Sequence, residues 1–489
     1  MTDISYPCGT RFSAAELIPP YVEDKDVKLI RSDPDGLLFT PDWFGSLIMT
    51  EIHPQTATPE GTLVSLVPVL DHLAAMGVNG IWVTPIYKKG GGNGYGNWGP
   101  HTLEPAVTGV EDTEEGWRRV ADFVKEAHRR NIRVFLDIIS WGTVHSSPLV
   151  AEHPEWFKGE VWGGAAFNWE NDGFRAWFID VCIENILKSG ADGYRCDCEP
   201  MFSGYRVFAE VRTRLLALGR KIAVIAEESS ERRGTYDSEQ DGITGWIEWS
   251  RGQQYKAPKR YFLDGENIVD CVKSGKLHGD AEAQKNGTSG RNKFYTYCVS
   301  NHDYEYSITE MNRLVMGYQA IFAPFIPLWY LGAEFGMHAE NKVIYFVPTD
   351  WSLLGKEENK KFCCDITEYI RIRRAYPDIF CYFPEDHRNA NIAAAKADTE
   401  LQSYVRFAPD GSRARACAVV VVPRKNEEKN TFSVSVDLAE NGVSGELKLT
   451  DLLTGNDVSV CSDGHGKAEF TAFVPEKNSL GVYLLERAD

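Results

Sequence analysis

Along roughly the first 350 residues, short apolar runs alternate with helix-length amphipathic stretches, and this alternation constrains the fold more than any other feature. Apolar runs of four to eight residues suit strands buried on both faces, and parallel strands need a crossover, usually a helix, between them. The expected strands are SLIMTEI (46–52), GIWVTPI (80–86), IRVFLDII (132–139), ADGYRCD (191–197), KIAVIAE (221–227), TGWIEW (244–249), FYTYCVS (294–300) and IPLWYLG (326–332). Between them, LVSLVPVLDHLAAMG, EEGWRRVADFVKEAHRR and FRAWFIDVCIENILKSG repeat apolar residues every three or four positions, as a helix with one buried face does. Eight strand–helix units predict an α/β fold, a closed (β/α)8 TIM barrel over residues 42–394. An open doubly wound sheet is the alternative that the pattern leaves.

From residue 395 the pattern changes to β-branched or alternating runs separated by Gly, Asn and Asp: LQSYVRFA, ACAVVVVPR, TFSVSVDL, GELKLTDLLT, KAEFTAF and LGVYLLE. This predicts a C-terminal all-β sandwich domain over 395–489. Residues 1–41 are too short and too punctuated by proline for a domain, and are expected to be an N-terminal extension packed on the barrel.

The chain carries 52 Lys and Arg against 70 Asp and Glu, a formal charge of −18, and such a field repels nucleic acid and anionic lipid. No run reaches about 18 apolar residues, and the first residues show no secretory pattern. The expectation is a cytoplasmic protein with neither nucleic acid nor membrane as partner. Eleven scattered cysteines do not suggest a disulfide framework in a chain of this size, so reduced thiols are expected. Cys196 and Cys198 lack a second Cys or His pair at zinc-ligand spacing and read as buried strand cysteines.

In a parallel barrel the chemistry gathers where strands end, at their carboxyl side. Arg195 and Asp197 lie two residues apart on one strand and so share a face. Glu227 and Glu228 end the next strand, Asn301, His302 and Asp303 the seventh, and Asp137 lies on the third. Each carboxylate alone could be a helix cap or a surface charge. Together they form a set suited to cleaving a glycosidic bond, which takes an acid to protonate the leaving oxygen and a carboxylate to attack or to activate water. A neighbouring guanidinium should keep an Asp ionised, while burial or crowding of negative charge should keep a Glu protonated.

These segments resemble the α-amylase superfamily of glycoside hydrolases: GADGYRCD, IAEES and VSNHD are similar to its strand-four, strand-five and strand-seven motifs, and MGVNGIWVTPI and WYLGAEFGM to further landmarks. The resemblance covers most of the chain from about residue 43. It implies Asp197 as nucleophile, Glu227 as general acid and base, and Asp303 as the carboxylate that binds and distorts the sugar ring. Arg195 and His302 would hold the bound glucose, Tyr95 in NGYGNWG would stack on it, and Asp137 would correspond to the third-strand aspartate. Glu227 is preferred to Glu228 only by alignment of Ala226-Glu227 with the motif, since alternation cannot decide for a strand buried on both sides.

The third-strand segment departs from the family pattern. In DIISWGTVHSS, Trp141 and Gly142 stand where Asn and His are expected. The missing histidine would contact the same glucose, so either His145 folds back into its place or the innermost subsite is shaped differently. The missing asparagine, and HPQTATPEGTL after the first strand, do not support the calcium bound by many relatives, so no cofactor or metal is expected. About sixty residues separate Asp137 from Asp197 and a helix is expected over 172–189, which reduces the usual loop domain to about 140–170. Trp98, Trp141, Trp156, Trp162 and Trp169 are candidate sugar platforms, with Trp98 and Trp141 among the expected contacts.

The resemblance implies a retaining hydrolase acting on α-glucans, malto-oligosaccharides or related α-glucosides through a covalent intermediate, with an α-linked oligosaccharide or polysaccharide as its partner. Two alternatives stay open: a transglycosylase with sugar or phosphate as acceptor, and a silent carbohydrate-binding relative, which the survival of Asp197, Glu227 and Asp303 opposes.

Overall fold

The computed structural model describes residues 14–31, 39–198, 207–227, 245–248, 269, 294–298, 300–302, 310–321, 326–337, 347–380, 392–399, 403–407, 416–421, 429–439, 443–474 and 479–488. Eight parallel strands close into a barrel: Met49–Ile52, Gly80–Val83, Arg133–Ile139, Gly193–Asp197, Ala223–Ala226, Gly245–Glu248, Phe294–Cys298 and Ile326–Tyr330. Each lies within a run expected from the sequence, and closure comes from the eighth strand pairing with the first, Leu328 opposite Met49. No helix among the described residues is long and apolar enough to cross a membrane.

Strand alternation divides the barrel into two apolar layers. Met49, Trp82, Phe135, Ala223, Ile225, Ile326 and Leu328 form an inner cluster, plugged by Phe44 and Leu47. Ile48, Ile52, Ile81, Val83, Val134, Leu136, Ile138, Tyr194, Cys196, Val224 and Ala226 face outward into the main core, where the helices pack. Burial on both faces is why these strands read as continuous apolar runs. Gly193 is required by the approach of neighbouring strands, because a Cβ there would lie 1.9 Å from the Ala223 carbonyl oxygen.

The expected helices form with local signals at their ends. Thr113–His128 is capped by Asp112, whose side chain accepts from the Glu115 amide at 2.7 Å. Asp172–Ser189 starts at Asn171, which accepts from the Phe174 amide, and stops at left-handed Gly190, φ 74°. The stretch 63–77 divides into a 3-10 turn, Val64–Leu66, and an α-helix, Val67–Ala75, with a proline in its first turn.

Residues 14–28 strap the barrel's amino-terminal end, with Ala14, Ile18 and Val27 buried. Arg133 Nη2 donates to the Val22 carbonyl at 2.9 Å, Lys221 Nζ to that of Val27 at 2.6 Å, and Arg220 pairs with Asp24. After the third barrel strand, Gly142–Thr143, Phe157–Val161 and Gly164–Phe167 make a small antiparallel sheet with Gly164–Phe167 in the middle.

The C-terminal part is wholly antiparallel, but the sandwich expectation is met only in part, since nine strands form one continuous sheet. The strand Ile392–Ala397 joins its two halves: residues 392–395 pair with Ser403–Arg406, while Lys396 and Ala397 pair with Ser435 and Val434. Side chains from both halves, among them Val405, Val419, Val434 and Phe470, share one core. That joining strand, IAAAKA, was missed because alanine is a poor strand former, as were the short Asp457–Val458 and Val460–Ser462. Cys182, Cys196 and Cys363 are buried and not disulfide-bonded, whereas Cys364 is disulfide-bonded, which corrects the expectation of reduced thiols at that position.

Candidate active site

Alternation on the fourth strand turns Arg195 and Asp197 to the inner face, above Gly193. Arg195 lies opposite Asp137 on the third strand and Ile225 on the fifth. Ala223 and Ile225 belong to the inner cluster, and the same alternation puts Glu227, the residue after that strand, above them. Glu228 and Asp303 lie outside the described residues.

One guanidinium ties three carboxylates together. Arg195 Nη1 donates to Asp197 Oδ1 at 2.8 Å and to Asp137 Oδ2 at 3.1 Å, and Nη2 lies 3.1 Å from Glu227 Oε2. Arg195 itself is wholly buried, with its guanidinium carbon 4.3 Å from the Trp82 ring centre. Asp137 also accepts from Trp82 Nε1 and from the Tyr95 hydroxyl, both at 2.8 Å. The Tyr95 ring stacks on His302 with centroids 4.6 Å apart, and His302 Nδ1 is bonded to the buried carboxylate of Glu51.

Protonation follows from this crowding. Burial and then the negative charge of Glu227 hold Asp197 well above the usual carboxylate range, and the Arg195 guanidinium offsets them only in part. Burial pushes Glu227 up as well, but the guanidinium and the Cys198 amide, which donates to Oε2 at 2.7 Å, hold it below its ordinary value. Burial and crowding thus favour the protonated form of Asp197, while the guanidinium and the amide favour the charged form of Glu227. The cause is local: Glu227 collects the amide and Nη2, while Asp197 sits against both Glu227 and Asp137. Burial raises Asp137 too, against the pull of Arg195, Tyr95 and Trp82, and burial and the Asp137 charge keep the Tyr95 phenol protonated.

The structure thus brings together Asp197, Glu227, Arg195, Asp137, Tyr95 and His302 among the residues expected from the sequence. His145 does not join them. It is an exposed side chain paired with Glu160 at 3.2 Å, so it does not fold back into the histidine position. Gly142 cannot fill that position either, because a Cβ there would lie 2.2 Å from the Ala165 carbonyl oxygen. Trp141 is buried in a cluster with Ile139 and Cys198, against which Tyr95 and Val161 pack, so it is a wedge beneath the rim and not an open platform. One face of Trp98 carries the Lys88 ammonium, 4.4 Å from the ring centre. Trp156 and Trp169 pack against the main core.

Three contributors were missed. Glu51 is an isolated acid in MTEI and Trp82 an aromatic in GIWV, and only their alternation on buried strands could have flagged them. Cys198 was assigned to a strand but lies beyond it at φ 59°, which directs its amide to Glu227.

Among the described residues, Asp197, Cys198 and Glu227 alone group as possible metal ligands, with ligand atoms within 4.8 Å of one another. Burial and then the nearby charges of Asp197 and Glu227 hold the Cys198 thiol far above its usual range, and thiolate is the form that binds metal. Arg195 already supplies the positive charge there.

No family model matches the chain. It is similar to the malto-oligosyltrehalose trehalohydrolase of Arthrobacter ramosus, 31% identical over 196 residues, 37% of this chain and 32% of that protein. The corresponding protein of Saccharolobus solfataricus is 24% identical over 374 residues, 68% of this chain and 62% of its own length. The matches thus cover less than two thirds of each of these two relatives. The fold is similar to that of an α-amylase from Geobacillus thermoleovorans complexed with acarbose, with a TM-score of 0.69 at 17% identity over 91% of this chain and 99% of that one. With the barrel, the strand-end carboxylates and these likenesses taken together, the chain belongs to the α-amylase family of glycoside hydrolases.

Proposed function

We propose that the protein is a retaining hydrolase of α-glucosidic bonds in α-glucans, malto-oligosaccharides or related α-glucosides. The observation that carries this reading is the Arg195 clamp at the barrel mouth, which holds Asp197 and Glu227 with carboxylate oxygens within 4.8 Å of each other. Retaining enzymes need close carboxylates, about 5 to 5.5 Å apart, because one attacks the carbon whose leaving oxygen the other protonates.

In the reacting complex Glu227 carries the proton that the two neighbouring carboxylates share, and Asp197 is the anion. Asp197 then attacks the anomeric carbon, and the bond to the glycosidic oxygen breaks with its electron pair while Glu227 protonates that oxygen. In the second step water gives a proton to Glu227 as its oxygen attacks the same carbon, and the bond to Asp197 breaks. Arg195 offsets the negative charge throughout. Asp303 would contribute from the seventh strand, binding and distorting the ring.

The test is chromatography of products from maltoheptaose and from malto-oligosyltrehalose, the latter suggested by the names of the relatives, with native protein and Asp197→Asn. The expected result is shorter products of retained α configuration from native protein alone. Near-normal turnover by Asp197→Asn would overturn the assignment.

A further inference from the structure

The hairpin of Phe157–Val161 and Gly164–Phe167 turns through Trp162 and Gly163, both left-handed, at φ 47° and 77°. Two-residue turns with both central residues left-handed favour Asn-Gly, Asp-Gly or Gly-Gly, and a bulky side chain at positive φ is an outlier. Trp162 gains little burial in compensation. It is 59% exposed, and among the described residues it is the one exposed tryptophan. Strain that the fold does not use tends to collect at functional positions.

Its neighbours connect it to the site. Trp162 meets Trp141 edge to face, centroids 5.5 Å apart at 82°. Trp141 in turn forms a buried cluster with Ile139 and Cys198, which flank Asp197, and Tyr95 packs against this cluster. Apolar contacts therefore lead from the cluster beside Asp197 and Tyr95 through Trp141 to Trp162 at the surface. On the same hairpin, Glu160 pairs with the exposed His145. An apolar ring face bordered by hydrogen-bonding groups matches a pyranose, which has apolar faces and hydroxyls around its edge.

We infer that Trp162 is an outer binding subsite for the α-linked glucan chain, a platform at the cleft rim on which a sugar beyond the cleaved bond stacks. This rests on the function proposed above and adds a chain-length preference. Trp141, expected to be a platform itself, instead supports one.

The experiment measures maltoheptaose and maltose binding calorimetrically to Asp197→Asn protein, in which cleavage is blocked, with and without Trp162→Asn or Trp162→Phe. Asparagine tolerates the left-handed turn and removes the ring, whereas phenylalanine keeps a ring. Trp162→Asn should weaken maltoheptaose binding about tenfold, equivalent to about 1.4 kcal/mol, with a smaller loss for maltose. Trp162→Phe should recover most of the affinity, and Trp162→Asn should melt no lower than its parent. The inference is overturned by an unchanged Kd in folded Trp162→Asn, by no maltoheptaose binding in any variant, or by equal losses for both sugars with a lower Tm. It is also overturned if the substitution changes the oligomeric state, which would make the ring a protein contact. The catalytic reading fails separately, if Asp197→Asn still turns substrate over.

Discussion

The backbone amide of Cys198 donates to Glu227 Oε2 at 2.7 Å, bridging the ends of the fourth and fifth barrel strands. The bond exists because Cys198 adopts φ 59°, a conformation that glycine accepts freely and β-branched residues resist. Cys198→Val should therefore lower kcat by about tenfold and lower Tm, while Cys198→Gly should lose much less, since the donor is the backbone. Equal losses in the two variants would show that the thiol, not the amide, matters.

Glu227→Gln removes the proposed acid but leaves Asp197 to attack. With maltoheptaose, whose leaving oxygen needs a proton, kcat/KM should fall by about 10³. With a dinitrophenyl α-glucoside, whose leaving group departs as a stable anion, bond cleavage should suffer far less and intermediate breakdown should become limiting. A similar loss on both substrates would mean that Glu227 is not the acid.

Glu51 anchors His302 through Nδ1, which fixes the ring beneath Tyr95. Glu51→Gln can still accept from an imidazole N–H, whereas Glu51→Ala cannot. The expected order of KM for malto-oligosaccharides is native, then Gln, then Ala, with the Ala variant about tenfold or more above native. An Ala variant with native KM would reduce the contact to packing.

The negative charge of Asp137 helps to hold the Asp197 proton. Asp137→Asn should make that proton easier to lose, moving the alkaline limb of the kcat/KM profile to lower pH by roughly one unit. A limb that stays in place or moves upward contradicts the electrostatic account.

At the opposite end of the barrel, Asp192 is bound by Arg133 Nη1 at 2.7 Å and His128 Nε2 at 2.8 Å. Burial pushes its carboxyl up, but the His128 charge and hydrogen bond and then Arg133 bring it from 3.8 down to about 2. Because the folded value lies below the unfolded one, the stabilisation is fully present above about pH 4 and is lost as pH falls through about 2. Asp192→Asn should cost about 3 kcal/mol at neutral pH and flatten the acid limb of the stability curve. Urea midpoints measured from pH 2 to 7 test both.

Much of this protein is written locally. Eight apolar runs, each long enough for a barrel strand and spaced for a crossover, specify the barrel because strand length, periodicity and loop length are properties of neighbouring residues. The two-residue spacing of Arg195 and Asp197 likewise determines that they share a face. The strand Ile392–Ala397 escaped because its alanines carry little strand preference, and it forms only where two ladders already wait on either side. The rest of the site depended on closure. Glu51 meets His302 across 251 residues of chain, and only the pairing of the eighth strand with the first brings their strands into one ring. The opposite pull on the two carboxyls was also beyond the sequence, since it depends on the summed fields of Asp137, Arg195, Glu227 and one left-handed amide from separate strand ends. Trp141, Gly142 and His145 could be seen to break the motif, but only the packing around the small sheet shows that Trp141 turns inward and His145 outward. Local periodicity thus determined the scaffold and the faces of its strands. Contacts between distant segments, and the electrostatics that those contacts add up to, were decided by the tertiary structure.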